Sequence, residues 1–192
     1  MTIGTQIAII RATIRGRAVK VWTGDESRVG MRTIRALVLT DEGYKPIRAE
    51  QCDYQAWWVH GAVAPETGDH YFLILPHLDT ACVQTFLNDF AQQDPETMHI
   101  LIWDNSRTHT TKHLVIPENV RILFQPPYAP EVNPTERVWQ ALKRSLAWER
   151  YSNREDFLNK LCKHISDFTN DAIQHLTQYP WLMKGIIAAC QS

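Results

Sequence analysis

At 192 residues the chain is long enough for one domain with a substantial core, and its 44% hydrophobic and 21% charged content is that of a globular protein. No apolar run approaches the ~20 residues of a membrane span, and Met1-Thr2-Ile3-Gly4 does not open a signal peptide. The net charge of −1 excludes a generally basic nucleic-acid binder, yet it hides segregation: residues 1–48 carry 9 Lys/Arg against 4 Asp/Glu, residues 49–136 carry 3 against 12, and residues 137–192 carry 8 against 5.

Residues 1–17 read as a remnant or linker. Val19-Lys20-Val21-Trp22 is a short strand running into Gly24-Asp25-Glu26, and Ile34 to Thr40 reads as a second strand closed by the Asp41-Glu42-Gly43 turn. Gln55 to Ala64 and His70 to Leu75 form a hairpin around Thr67-Gly68. From Asp79 to Gln93 the period becomes helical, with Cys82, Val83, Phe86, Leu87 and Phe90 on one face and Asp79 as N-cap. His99 to Trp103 is a continuous apolar strand of the kind covered on both faces, and Val120 to Phe124 is another. A Pro-rich loop leads into a helix from Pro134 to about Trp148. Ser152-x-x-Glu155 reads as a capping box opening a last helix, with Phe157, Leu158, Leu161, Ile165 and Phe168 inward. Antiparallel strands, a helix, two further strands and two helices imply an α/β fold with a mixed sheet flanked by helices.

Three acids stand where chemistry could gather. Asp104 ends the run Ile100-Leu101-Ile102-Trp103, the position where α/β sheets place ligands, although Asp-Asn is also ordinary turn chemistry. Glu136 lies in the first turn of the helix behind Pro126-Pro127-Tyr128-Ala129-Pro130-Glu131-Val132-Asn133-Pro134. With Asn133 as N-cap and Pro134 at the first helical position, a capping role worth about 1 kcal/mol would account for it. Asp25 lies in Gly24-Asp25-Glu26-Ser27-Arg28, which reads as a strand-end turn where Glu26 is an equally good acid. Carboxylates at ~4 Å repel by about 1 kcal/mol in water and about 4 at an effective dielectric near 20, so a cluster of them asks for a cation. His109 and His113 are four apart, but no Glu lies between them and they follow a turn, so a zinc pair is a poor reading.

Asp25-Glu26-Ser27-Arg28, Asp104-Asn105 with His109 five positions after the acid, and the Pro-rich run ending Asn133-Pro134-Thr135-Glu136 with Trp139 close behind arrive in one order. Together they resemble the catalytic domain of bacterial insertion-sequence transposases of the mariner-like superfamily, the 630-type elements with an Asp-Asp-Glu triad. Ala129 and Val132 stand where that family has Ser and Leu. The resemblance implies a ribonuclease-H-like mixed sheet, three antiparallel strands plus parallel strands, over residues 18–180, with 181–192 a tail. It selects Asp25, with Glu26 as fallback, and joins it to Asp104 and Glu136 as catalytic residues holding a two-metal Mg²⁺ or Mn²⁺ site. The implied activity is cleavage of donor DNA at element ends and joining of the 3′-hydroxyl to target DNA, typically at TA.

Double-stranded DNA is then the partner, with a homodimer in the active complex, and Arg28, His109, Lys143 and Arg144 are candidates for its phosphates. His109 could instead orient an acid, and Lys143 and Arg144 could be a solvated face. Family members carry helix-turn-helix modules ahead of the first strand, where 18 residues stand here, so such a partner or an upstream frame is expected. Cys52, Cys82, Cys162 and Cys190 are scattered without a C-x-x-C, which reads as free thiols in a bacterial cytoplasm, beside the nucleoid. Two other classes stay open: an inactive remnant that binds DNA or regulates, and a different two-carboxylate enzyme such as a glycosidase.

Overall fold

The strand β1 (Val19–Gly30) is the axis on which the other elements assemble. In this computed structural model, which describes residues 3–14, 16–43, 47–106, 108–125, 133–180 and 182–184, β1 pairs antiparallel with β2 (Ala56–Val63) and parallel with β4 (Met98–Trp103). The antiparallel β3 (His70–Leu75) and the parallel β5 (Val120–Phe124) complete a five-stranded sheet in the order β3-β2-β1-β4-β5. Side chains alternate across a strand, so each face has its own core. Trp22, Ala62, Leu101 and Trp103 meet Val83, Phe86, Leu87 and Phe90 of the helix α2 (Thr80–Gln92) on one face. Val29, Trp57, Val59 and Val63 on the other face meet α3 (Thr135–Ser145), α4 (Arg154–Ser166) and α5 (Asn170–Thr177) through Val138, Trp139, Leu142, Phe157, Leu161 and Ile173.

Residues 1–17 are more than a linker. They contain a further helix (Ile3–Thr13, here α1), whose Ile7 is fully buried against Val21, Ile100, Ile102 and Leu182. Leu182 thus also draws the start of the expected tail into the core. The strand expected over Ile34 to Thr40 is absent: one isolated bridge joins Ile34 to Ala147, and Leu37 and Leu39 are fully exposed. Strand-like composition needs a ladder partner, and β1 already has one on each side. Two caps also differ. Asn153, not Ser152, caps α4 by accepting from the Asp156 N–H, and the Asp156 carboxylate reaches back to the Ser152 N–H. What reads as one last helix breaks after Ser166, and Thr169 caps α5.

The Asp79 cap and the hairpin turn at Thr67-Gly68 stand as expected, the latter with Gly68 at φ +75°. Cys52, Cys82 and Cys162 are free thiols, and among the described residues no helix is long and apolar enough to cross a membrane.

Gly61 shows how closely the α3 layer approaches the sheet. A Cβ there would stand 2.6 Å from the Trp139 ring and 2.8 Å from Phe72. Gly61→Ala should therefore displace Trp139 and destabilise the protein by about 1–3 kcal/mol, the usual cost of overpacking. Chemical denaturation followed by tryptophan fluorescence checks this, and an unchanged midpoint would refute the tight approach.

Candidate active site

Gly24-Asp25 looks like a strand end, but β1 runs on to Gly30, so Asp25 lies within the strand. Glycine is tolerated beside it because a Cβ at Gly24 would sit 2.9 Å from Leu101 Cδ1. Thr23, Asp25 and Val29 share the face covered by α3, and the start of that helix is pinned there by three side chains. Asn133 Nδ2 donates to the Gly24 carbonyl at 3.1 Å, while its Oδ1 accepts the Thr135 N–H, also at 3.1 Å. Thr135 Oγ1 donates to the Thr23 carbonyl at 3.1 Å and accepts from Thr23 Oγ1 at 2.9 Å. One turn on, Trp139 Nε1 donates to Asp25 Oδ2 at 3.0 Å.

Glu136, between these anchors, lies on the exposed side of the first turn of α3. Its carboxylate makes no hydrogen bond or ion pair to a described residue, so the expected capping box is not formed. Pro134 stands at the N-cap without a side-chain cap, and Asn133 Oδ1 accepts only the Thr135 N–H just behind it. Burial, then the charges of Glu136 and Glu26, push the Asp25 carboxyl from its usual 3.8 up to about 8. The seam therefore brings two acids together at an electrostatic cost.

Asp104 follows the end of the neighbouring strand β4. The parallel register ends with Thr23 opposite Ile102, and Asp25 and Asp104 are each two residues beyond that pair, on strands about 4.8 Å apart. Its Oδ1 accepts the Ser106 N–H at 3.0 Å and lies 2.6 Å from His109 Nδ1. The His109 ring is buried, stacked on Trp103 with centroids 3.8 Å apart, and its Nε2 lies 3.0 Å from Glu26 Oε1. Burial alone would lower the His109 pKa, but the hydrogen bonds and charges of Asp104 and Glu26 hold it up at about 9. The Asp104 carboxyl, held chiefly by the His109 hydrogen bond, stays below its usual range.

Glu26 belongs to the opposite face from Asp25. It is 6% exposed and committed to His109 and His60, which removes it as the fallback ligand. His109 has both ring nitrogens committed to carboxylates, so none is left for a phosphate; of its two expected roles, it has the geometry for orienting an acid. Arg28 and Lys143 line one cleft with Arg32 and Tyr54. Lys143 and Arg144 are exposed in the last turn of α3, where they also suit the helix dipole. The loop Pro126 to Val132 lies outside the described residues. The bonds from Thr135 and Trp139 and the Glu26 partnership with His60 were not legible from motifs, because each depends on which strand lies opposite.

Asp25, Asp104 and Glu136 each carry oxygen donors, the kind a hard divalent cation takes. Among the described residues, no three or more His, Cys, Asp or Glu side chains are drawn close enough to form a metal cluster as they stand.

Residues 20–158 match the family described as DDE superfamily endonuclease. An uncharacterised protein of Sinorhizobium fredii, y4pE/y4sA, is 30% identical over 131 residues, covering 67% of this chain and 91% of that protein. The Mos1 transposase paired-end complex with the left transposon end is similar in fold, with a TM-score of 0.66 at 16% identity over 97% of this chain. The Mos1 strand transfer complex has a TM-score of 0.63 at 15% identity, again over 97%. The chain spans about three fifths of those Mos1 chains, 61% and 59%. The mixed sheet with helices on both faces is accordingly the ribonuclease-H-like fold expected from the resemblance. A match over residues 20–158, together with this fold, places the chain in the DDE superfamily endonuclease family.

Proposed function

We propose that this chain is the catalytic domain of a mariner-like transposase of a bacterial insertion sequence, cleaving donor DNA at element ends and transferring the 3′ end to target DNA at TA sites. The observation that carries this reading is the seam between β1 and α3, where Asn133, Thr135 and Trp139 bring Glu136 within electrostatic reach of Asp25 beside the end of β4 that bears Asp104. Asp25, Asp104 and Glu136 would hold Mg²⁺ or Mn²⁺. The chemistry such a pair of ions would supply there is activation of the attacking oxygen and stabilisation of the leaving one.

The protein's own part is positional. Trp139 fixes the Asp25 carboxyl by one oxygen, His109 and Ser106 fix Asp104, and Glu136 stands exposed with no hydrogen bond to a described residue. Arg28, Lys143 and Arg144 would hold backbone phosphates, which positions the duplex without reading its sequence. Double-stranded DNA, a homodimer in the active complex and a helix-turn-helix partner for end recognition belong to the same reading, as does a place in the cytoplasm beside the nucleoid. It is supported by the paired-end and strand-transfer assemblies named for the Mos1 neighbours.

The test is nicking of supercoiled and linear duplex by the purified chain. Cleavage is expected with Mg²⁺ or Mn²⁺ and not with EDTA, and DNA affinity should fall steeply with salt. Salt-sensitive binding with no cleavage under any divalent metal would instead identify an inactive remnant.

A further inference from the structure

Glu26 follows Asp25 in β1 and so projects from the opposite face of the sheet, away from α3. There it is a carboxylate 6% exposed to solvent, a costly group to bury unless it is paired. Its Oε1 lies 3.0 Å from His109 Nε2, and His109 Nδ1 lies 2.6 Å from Asp104 Oδ1. Trp103 stacks under the imidazole and holds its plane. His60, opposite Glu26 in the β1–β2 register, is fully buried with Nδ1 3.5 Å from the same Oε1, and among the described residues its ring has no partner at hydrogen-bond geometry. An ion pair that served only stability would need one acid. Here one imidazole is strung between two acids on two strands, and the second acid is Asp104.

We propose that Glu26 is a positioning residue of the active site: it holds the His109 ring through Nε2, so that Nδ1 holds Asp104 by Oδ1 and leaves Oδ2 for a divalent cation. The inference rests on the reading of Asp104 as a metal ligand. A lone carboxylate at a strand end can rotate about two side-chain torsions. Two donors on one oxygen, His109 Nδ1 and the Ser106 N–H, take up that freedom, and none of the described hydrogen bonds ends on Oδ2. The arrangement mirrors the familiar carboxylate behind a metal-bound histidine, with an imidazole behind a metal-bound carboxylate and a further carboxylate behind the imidazole. Without Glu26, His109 Nε2 loses its acceptor in a pocket closed by His60 and Trp103, and the ring is free to turn away from Asp104.

A double-mutant cycle on Mn²⁺ affinity tests this, by titration calorimetry of the purified chain without DNA, with the thermal midpoint of each variant recorded in EDTA. Glu26→Leu, which removes the acceptor at similar length, and His109→Asn should each weaken Mn²⁺ binding about 10–100-fold, the usual loss when a supporting partner of a ligand is removed. The double variant should bind within ~2-fold of His109→Asn alone, because Glu26 acts only through the ring. Multiplying losses, or wild-type affinity in Glu26→Leu, overturn the proposal. Should Glu26→Leu fail to fold, Glu26→Asp, which keeps the charge but shortens the reach, replaces it in the same cycle with the same expectations. Asp104→Asn separates the two inferences. Mn²⁺ binding lost there but kept in Glu26→Leu refutes the positioning role and leaves the metal site standing. Mn²⁺ binding indifferent to Asp104→Asn refutes both.

Discussion

Glu136→Gln should leave the protein folded and as stable as the wild type while reducing metal-dependent DNA cleavage by at least ~100-fold, about 2.7 kcal/mol of transition-state stabilisation. Stability is spared because the Glu136 carboxylate is exposed and bonds to no described residue, and because the start of α3 is held by Asn133, Thr135 and Trp139 instead. Removing its charge also relieves Asp25, so the thermal midpoint in EDTA should stay level or rise slightly. Activity falls because an amide keeps the shape but not the charge that a hard cation requires. Asp104→Asn should also abolish cleavage, with the fold intact. There the amide oxygen can still accept from His109, but the ion pair is lost, so the midpoint in EDTA should drop where that of Glu136→Gln does not. Nicking assays and thermal denaturation on the same preparations read both quantities. Full activity in Glu136→Gln would mean that the acid in the first turn of α3 serves the helix and not the chemistry.

Asp25→Asn should make the metal-free protein more stable at alkaline pH, an unusual outcome for an active-site change. The Asp25 carboxyl sits near 8 in the folded chain, against 3.8 when unfolded. Between those values the folded state keeps a proton that the unfolded state has released, so stability falls as pH rises through this window. At about 1.4 kcal/mol per pH unit, the wild type should lose a few kcal/mol relative to Asp25→Asn between pH 5 and pH 9. The two should coincide below about pH 3, where both folded and unfolded Asp25 are largely protonated.

His109 contributes in the same direction. Raised from 6.5 to about 9, it stabilises fully below 6.5 and loses that contribution as pH rises through 9, in the wild type and the variant alike. The difference between the two curves therefore isolates Asp25. In the proposed metal site Mg²⁺ or Mn²⁺ would replace the proton as the compensating charge, so either ion should raise the wild-type midpoint above pH 7 and leave that of Asp25→Asn nearly unmoved. Denaturation curves across pH 3–9 in EDTA, and above pH 6 with metal, decide it. Parallel curves for the two proteins would show that Asp25 carries no such burden.

Local pattern determined much of this protein. Two apolar segments on either side of the Thr67-Gly68 turn marked β2 and β3, an unbroken apolar run marked β4, and the 3.6 period with Asp79 ahead of it marked α2, because each signal is carried by residues close together in the chain. The motifs around Asp25, Asp104 and Glu136 were equally legible, since the residues that make up each one are neighbours in sequence. Tertiary structure alone decided what those residues do to one another. The Leu37 and Leu39 alternation forms no strand because the edges of β1 are already occupied, and α1 is held by the burial of Ile7 against residues as distant as Leu182. Asp25 and Glu26 are adjacent and chemically alike, and only the register of β1 on β2 sends one to Trp139 and the other to His60 and His109. A strand places neighbouring residues on opposite faces. Which face meets which helix depends on packing across the whole chain, and no local window contains it.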